Sequence, residues 1–180
     1  QSPDTTNGRQ LRRIVRAIKK FARSRDSWGA QILSGFGITA LVVECYKADP
    51  AREDRALHKT MEAIRDRLTY NLVVDHPCTA GVTITSGTDD AKAKFLRSKL
   101  SDALTWLEPV FASDCTRAVA LAAWDKLYAT GYFSLRAGPV SEAAKAMGAP
   151  AILSSGFLTQ SATAAGIEAA VRKDGGGRYD

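Results

Sequence analysis

The chain has 180 residues, 45% hydrophobic and 24% charged, with 14 glycines and 6 prolines. That mixture excludes collagen-like, mucin-like and wholly disordered chains, and it suits one domain large enough to bury a core of its own. Subtracting 19 acidic from 25 basic side chains leaves a charge of +6, which is compatible with phosphate-bearing partners without demanding them.

Three widely spaced cysteines (Cys45, Cys78, Cys115) without a CxxC, and only two histidines (His58, His76), argue against a disulfide framework or a zinc module. They point to a reducing, cytoplasmic compartment. The longest apolar run, Ile38 to Val43, is far too short to span a membrane. The polar first residues do not read as a signal peptide, and the start at Gln1-Ser2-Pro3 without a methionine reads as a piece of a longer protein.

Residues 1–8 form a polar lead-in. From Arg9 to about Arg25, apolar residues Leu11, Ile14, Val15, Ile18, Phe21 and Ala22 recur every three or four positions, predicting an amphipathic helix. A short link, Asp26 to Gly29, precedes a second helix through Cys45, with Ser34 as its N-cap. Being apolar nearly all round, that helix is expected at the buried centre. Asp49-Pro50 predicts the start of a third helix, with Glu53 and Asp54 in its first turn and Leu57, Met61, Ile64 and Leu68 as its stripe. Between Tyr70 and Gly87 the helical period is absent, and Val82 to Thr85 alternate like a short strand. Helix resumes after Thr88 until Pro109, and Asp114 is expected to cap a last helix that ends at Gly131. Residues 134–180, rich in Ala, Gly and Ser, read as a loosely attached tail, with short helices possible at 141–147 and 164–172. The expectation is an all-α domain of five helices over residues 9–133, without internal repeats.

The first helix carries the clearest chemistry. Arg12, Arg16, Lys19 and Arg23 lie three or four residues apart, so their heads cluster on one surface that can hold phosphates. An ordinary solvated helix face looks the same. No aromatic residues interleave with these cations as a stacking platform for single-stranded nucleic acid. Ser34, at a helix start, offers a hydroxyl and free N–H groups to a phosphate oxygen, or is a plain N-cap. Asp89-Asp90 does not make a two-metal site: neighbouring aspartates diverge by about 100° on a helix, and they read as first-turn residues complementing its dipole. Asp75-His76-Pro77-Cys78 lacks the second ligand pair that a metal needs. Cys45 reads as core, and Trp28, Trp106 and Trp124 as packing anchors. No nucleophile elbow, Walker loop or dinucleotide fingerprint occurs, and no catalytic or metal-binding set is visible.

The order of the segments Leu11-Arg12-Arg13-Ile14-Val15-Arg16-Ala17-Ile18-Lys19-Lys20-Phe21, Leu33-Ser34-Gly35-Phe36-Gly37-Ile38-Thr39-Ala40-Leu41, Asp75-His76-Pro77, Ala91-Lys92-Ala93-Lys94-Phe95 and Ala120-Leu121-Ala122-Ala123-Trp124-Asp125-Lys126-Leu127-Tyr128 resembles a known arrangement. It is that of the C-terminal helical half of the bacterial CD-NTases, the cGAS/DncV-like nucleotidyltransferases of CBASS anti-phage defence. The closing Gly175-Gly176-Gly177-Arg178-Tyr179 is also similar to the end of such proteins. The resemblance implies an enzyme of two lobes that makes cyclic oligonucleotide signals from ATP or other nucleoside triphosphates. The Mg2+-binding carboxylates would lie on an N-terminal lobe absent from this chain, and this fragment would be inactive alone.

On that resemblance, Lys19 (or Lys20) and Ser34 match the family's contacts to the donor triphosphate, and Phe36 either stacks on the base or belongs to the core. Arg12, Arg16 and Arg23 complete a phosphate-facing helix. The implied partners are the missing catalytic lobe, the nucleotides and CBASS ancillary proteins, including a ubiquitin-like ligase acting on the tail, although this chain ends in Asp180. The alternative is a non-catalytic basic helical module that binds nucleic acid or a protein partner.

Overall fold

The computed structural model describes residues 6–136, with side chains from residue 9 onward. Among the described residues the fold is all-helical: α1 (Thr6–Ala22), α2 (Gly35–Cys45), α3 (Glu53–Tyr70), α4 (Ala91–Leu107), α5 (Arg117–Tyr128) and a single turn, α6 (Tyr132–Leu135). Short 3-10 turns stand at Asp26–Trp28 and Glu108–Phe111. Helix therefore begins inside the expected lead-in and runs slightly past residue 133. The expected tail helices at 141–147 and 164–172 lie outside the described residues. No helix among those described is long and apolar enough to cross a membrane.

The α1 stripe is buried as its period requires: Ile14, Ile18, Phe21 and Ala22 are each 1% exposed, and the helix packs on α2, α3 and α5. It stops at Ala22, before the expected Arg25. There the Ser24 hydroxyl and N–H both donate to Phe21 O, drawing the last turn tighter than an α-helix.

The most extensive helix pairing is α3 on α4, and α2 is not buried on all sides as expected. Only one side of α2 is covered, by Ile38, Leu41, Val42 and Cys45, while Phe36 and Val43 are exposed. A helix apolar on all sides has no periodic signal to say which side meets the core. Cys45, Trp28 and Trp124 are buried core residues, and Trp106 packs against that core.

Two helix starts differ from expectation because a side chain made a different local bond, and one helix end because the backbone turns left-handed earlier. Asp49 does not open α3: its Oδ1 accepts the Arg52 N–H at 3.1 Å, closing a turn ahead of a helix that starts at Glu53. Asp49 is also held by Gln10, which donates to its carbonyl at 2.7 Å and accepts its N–H at 3.1 Å. Thr116, rather than Asp114, caps α5 by accepting from Val119 N–H. That helix ends at Ala129, in the left-handed conformation with φ 49°, and Gly131 instead precedes α6. The expected strand at Val82 to Thr85 is a single antiparallel bridge, Asp75 to Thr83. It is flanked by bonds from His76 N–H to Val82 O at 2.8 Å and from Ile84 N–H to Val74 O at 2.7 Å.

Asp90 is the N-cap of α4 rather than a first-turn residue, and Asp89 lies ahead of it, paired with Lys94. Asp90 accepts from Ala93 N–H, Ser86 N–H and the Ser86 hydroxyl, each at 2.8 Å. Burial alone would raise its carboxyl pKa, but these donors hold it below the ordinary aspartate value of 3.8.

Arg25, beyond α1, ties the segment after that helix to the end of α5. Its guanidinium donates to the carbonyls of Lys126 at 2.6 Å and Leu127 at 3.2 Å, satisfying the last turn of α5. It lies over the rings of Trp28 at 4.5 Å and Trp106 at 4.8 Å. Burial there lowers its pKa, opposed by the nearby Asp102 carboxylate.

Replacing Asp90 by Ala is expected to lower the unfolding free energy by about 1–2 kcal/mol at pH 7, read by urea denaturation. Because the folded pKa is depressed, the difference from wild type is fully present above 3.8 and is lost as pH falls through the folded value. Arg25→Ala is expected to cost about 2 kcal/mol. Arg25→Lys should not restore it, since an ammonium cannot fork onto two carbonyls while stacking on two rings.

Candidate anion-binding site

Burying one stripe of α1 turns its cations outward, and two groups of them face different neighbours. The first group meets the amino end of α2. A Cβ built on Gly35 would stand 3.4 Å from Arg23 Nη2, 3.5 Å from Lys19 Cε and 3.9 Å from Lys19 Nζ. Gly35 thus lets the backbone and these cations approach closely. Ser34 caps the helix as expected, its Oγ accepting Gly37 N–H at 3.1 Å. The N–H groups of Gly35 and Phe36 have no partner among the described residues. Two cations, two open N–H donors and the positive end of a helix dipole therefore share one small region.

Phe36 is 49% exposed, so it is not core. Its ring lies 5.1 Å from that of His76, tilted by 40°, and His76 Nδ1 accepts Cys78 N–H at 3.3 Å. In the sequence His76 stood out as a rejected metal ligand and as part of the Asp75-His76-Pro77 segment, not as a neighbour of Phe36. Its place beside Phe36 comes from the bridge between Asp75 and Thr83, which no motif marks.

The second group, Arg16 and Lys20, turns away from α2 and shares with Arg23 a cleft of about 590 Å3 against the α5–α6 corner. Lys19 is thus the lysine beside α2, and Lys20 belongs to the cleft. Arg12 is exposed further toward the start of the helix. The cleft's opposite wall includes Tyr128, Tyr132 and Phe133, so aromatic residues face the basic helix although none interleaves with its cations in the sequence. They come from more than a hundred positions away, beyond the reach of a local pattern.

Pairing separates these cations from those of α3. Among the described residues, Arg12, Arg16, Lys19, Lys20 and Arg23 make no ion pair. On α3 and just before it, Arg52 pairs with Asp54, Arg55 and Lys59 with Asp49, Arg65 with Glu62 and Asp66, and Arg67 with Glu44. No group of three or more His, Cys, Asp or Glu among the described residues could hold a metal ion.

The chain matches no protein-family model, and no curated protein matches it. The site therefore has to be read from its own geometry.

Gly37 supports the amino end of α2 from below: a Cβ there would lie 2.8 Å from Leu33 Cγ and 3.2 Å from Ile84 Cγ2. Gly37→Ala is expected to destabilise the fold by about 1–3 kcal/mol. Gly35→Ala, whose methyl meets only the flexible ends of Lys19 and Arg23, should unfold at nearly the wild-type urea concentration.

Proposed function

We propose that this chain is the helical half of a nucleotidyltransferase that joins nucleoside triphosphates into cyclic oligonucleotide signals, working in the cytoplasm in anti-phage defence. The observation that carries the reading is the meeting of Lys19 and Arg23 with the open amino end of α2, beside the exposed Phe36 and its neighbour His76. A triphosphate needs concentrated positive charge and fixed N–H donors, and a base needs an exposed ring; both occur here within one turn of helix.

On this reading the helical half binds and orients. Lys19, a compact ammonium, and Arg23, a planar fork, neutralise the phosphate oxygens. The Gly35 and Phe36 N–H groups and the Ser34 hydroxyl fix the direction in which the chain of phosphates points. Phe36 offers its exposed face to the base. Mg2+, its carboxylate ligands and activation of the attacking ribose hydroxyl belong to the N-terminal lobe. Conjugation through residues 134–180, and any ancillary partner reading them, are further parts of the same proposal.

The test is product formation from ATP and GTP with Mg2+ by the protein that includes its upstream lobe. Lys19→Ala is expected to lower turnover by about a hundredfold while leaving the melting temperature unchanged, since Lys19 is partly exposed and pairs with no acid. Wild-type turnover in that variant overturns the reading.

The unpaired row favours a second reading, because Arg12 lies three turns of helix from Arg23, beyond the span of one triphosphate. A basic module on nucleic acid would bind with a steep salt dependence and show no preference for free triphosphates.

A further inference from the structure

We infer that the cleft between α1 and the α5–α6 corner is a second binding site, distinct from the amino end of α2, for a mononucleotide-sized ligand with a phosphate and an aromatic ring. The inference does not rest on the proposed nucleotidyltransferase function.

Three observations define the ligand's chemistry. One wall is cationic: Arg16, Lys20 and Arg23 follow one another at intervals of four and three, and none has an acidic partner among the described residues. The other wall is aromatic, with Phe133 6.2 Å from Tyr128 and 5.3 Å from Tyr132, the latter edge-on. The space between them, about 590 Å3, lies within the range of roughly 300–1,000 Å3 usual for small-ligand sites. A phosphate answers the first wall and a planar ring the second.

The aromatic wall is held in place before any ligand arrives. Asp125 accepts Phe133 N–H at 2.9 Å and Ser134 N–H at 2.8 Å, and its carbonyl accepts Thr130 N–H at 3.0 Å. Thr130 Oγ1 accepts Tyr132 N–H at 3.1 Å. The Asp125 carboxylate is therefore directed at backbone amides and is not paired with the cations opposite. Tyr128 lies nearly parallel to Trp124 at 6.4 Å. Burial pushes its phenol pKa up to about 12.

A second cleft, of about 510 Å3 beside α3, makes the contrast. Lys47 and Lys59 there stand among Glu62 and Asp66, so it does not select an anion.

The experiment is calorimetric titration of the full 180-residue chain with adenosine monophosphate, and separately with inorganic phosphate. Adenosine monophosphate is expected to bind at least tenfold more tightly than phosphate. Arg16→Ala with Lys20→Ala should weaken it at least tenfold, and so should Phe133→Leu. Lys19→Ala and Phe36→Ala should stay within twofold of wild type. Arg16 and Lys20 are unpaired surface residues, so their removal leaves the fold intact, as circular dichroism would verify. Equal binding of phosphate and adenosine monophosphate would overturn the inference, leaving only a row of charge. Absence of binding would overturn it too. Loss in Lys19→Ala and Phe36→Ala, but not in the Arg16–Lys20 variant, would overturn it while supporting the site at α2.

Discussion

Burial of Ile14, Ile18, Phe21 and Ala22 along one stripe of α1 is the constraint on which the arrangement of charge depends. Each large side chain in that stripe contributes about 1.5–3 kcal/mol, whereas an exposed ion pair contributes about 0–1 kcal/mol. The apolar stripe therefore decides how α1 is rotated, and the cations take the directions left to them. Rotating the helix to pair them would expose the stripe and drag charges into the core, at several kcal/mol per desolvated ion.

Two polar anchors then fix where that charged face sits. Near the start of α1, Gln10 binds both backbone groups of Asp49 and accepts the Tyr46 hydroxyl at 2.6 Å, tying the helix to the link between α2 and α3. Beyond its end, Arg25 binds the last carbonyls of α5 between two indole rings. One anchor brings α2 against Lys19 and Arg23; the other brings the α5–α6 corner against Arg16 and Lys20. Arg23 stands where the two groups meet, near Gly35 and within the cleft wall.

Leaving like charges unpaired at intervals of four on one helix is unfavourable by about 0.2–0.5 kcal/mol per pair. The same chain pairs each Lys and Arg of α3 with an acid, so the means to neutralise a helix face are present elsewhere. On α1, Arg13 alone among the residues from 12 to 23 has such a partner, Glu53 at 2.7 Å. This difference from α3 leaves a row of unpaired charge along α1, and that row is the common ground of both binding sites argued above.

The helices, the stripe of α1 and the Ser34 cap were legible in the sequence, because each is local: a period of 3.6, or a hydroxyl next to the N–H groups it accepts from. Asp49, Asp90 and Asp114 were harder, since an aspartate fits several neighbouring cap positions and the choice rests on partners such as Gln10 and Ser86. The four cations of the candidate sites could be counted from the sequence but not divided. Lys19 and Lys20 are adjacent and chemically identical, and only the packing of α2 on one side and α5 on the other separates their roles. Nor could Arg25 be told from Arg23, although one holds the fold together and the other is free to bind. The aromatic wall and the Phe36–His76 pair depend on contacts between distant segments, and such contacts leave no periodic trace. The sequence by itself determined which residues form helices and which helix carries the charge; tertiary structure decided what each charge faces, because that depends on what the apolar stripe packs against.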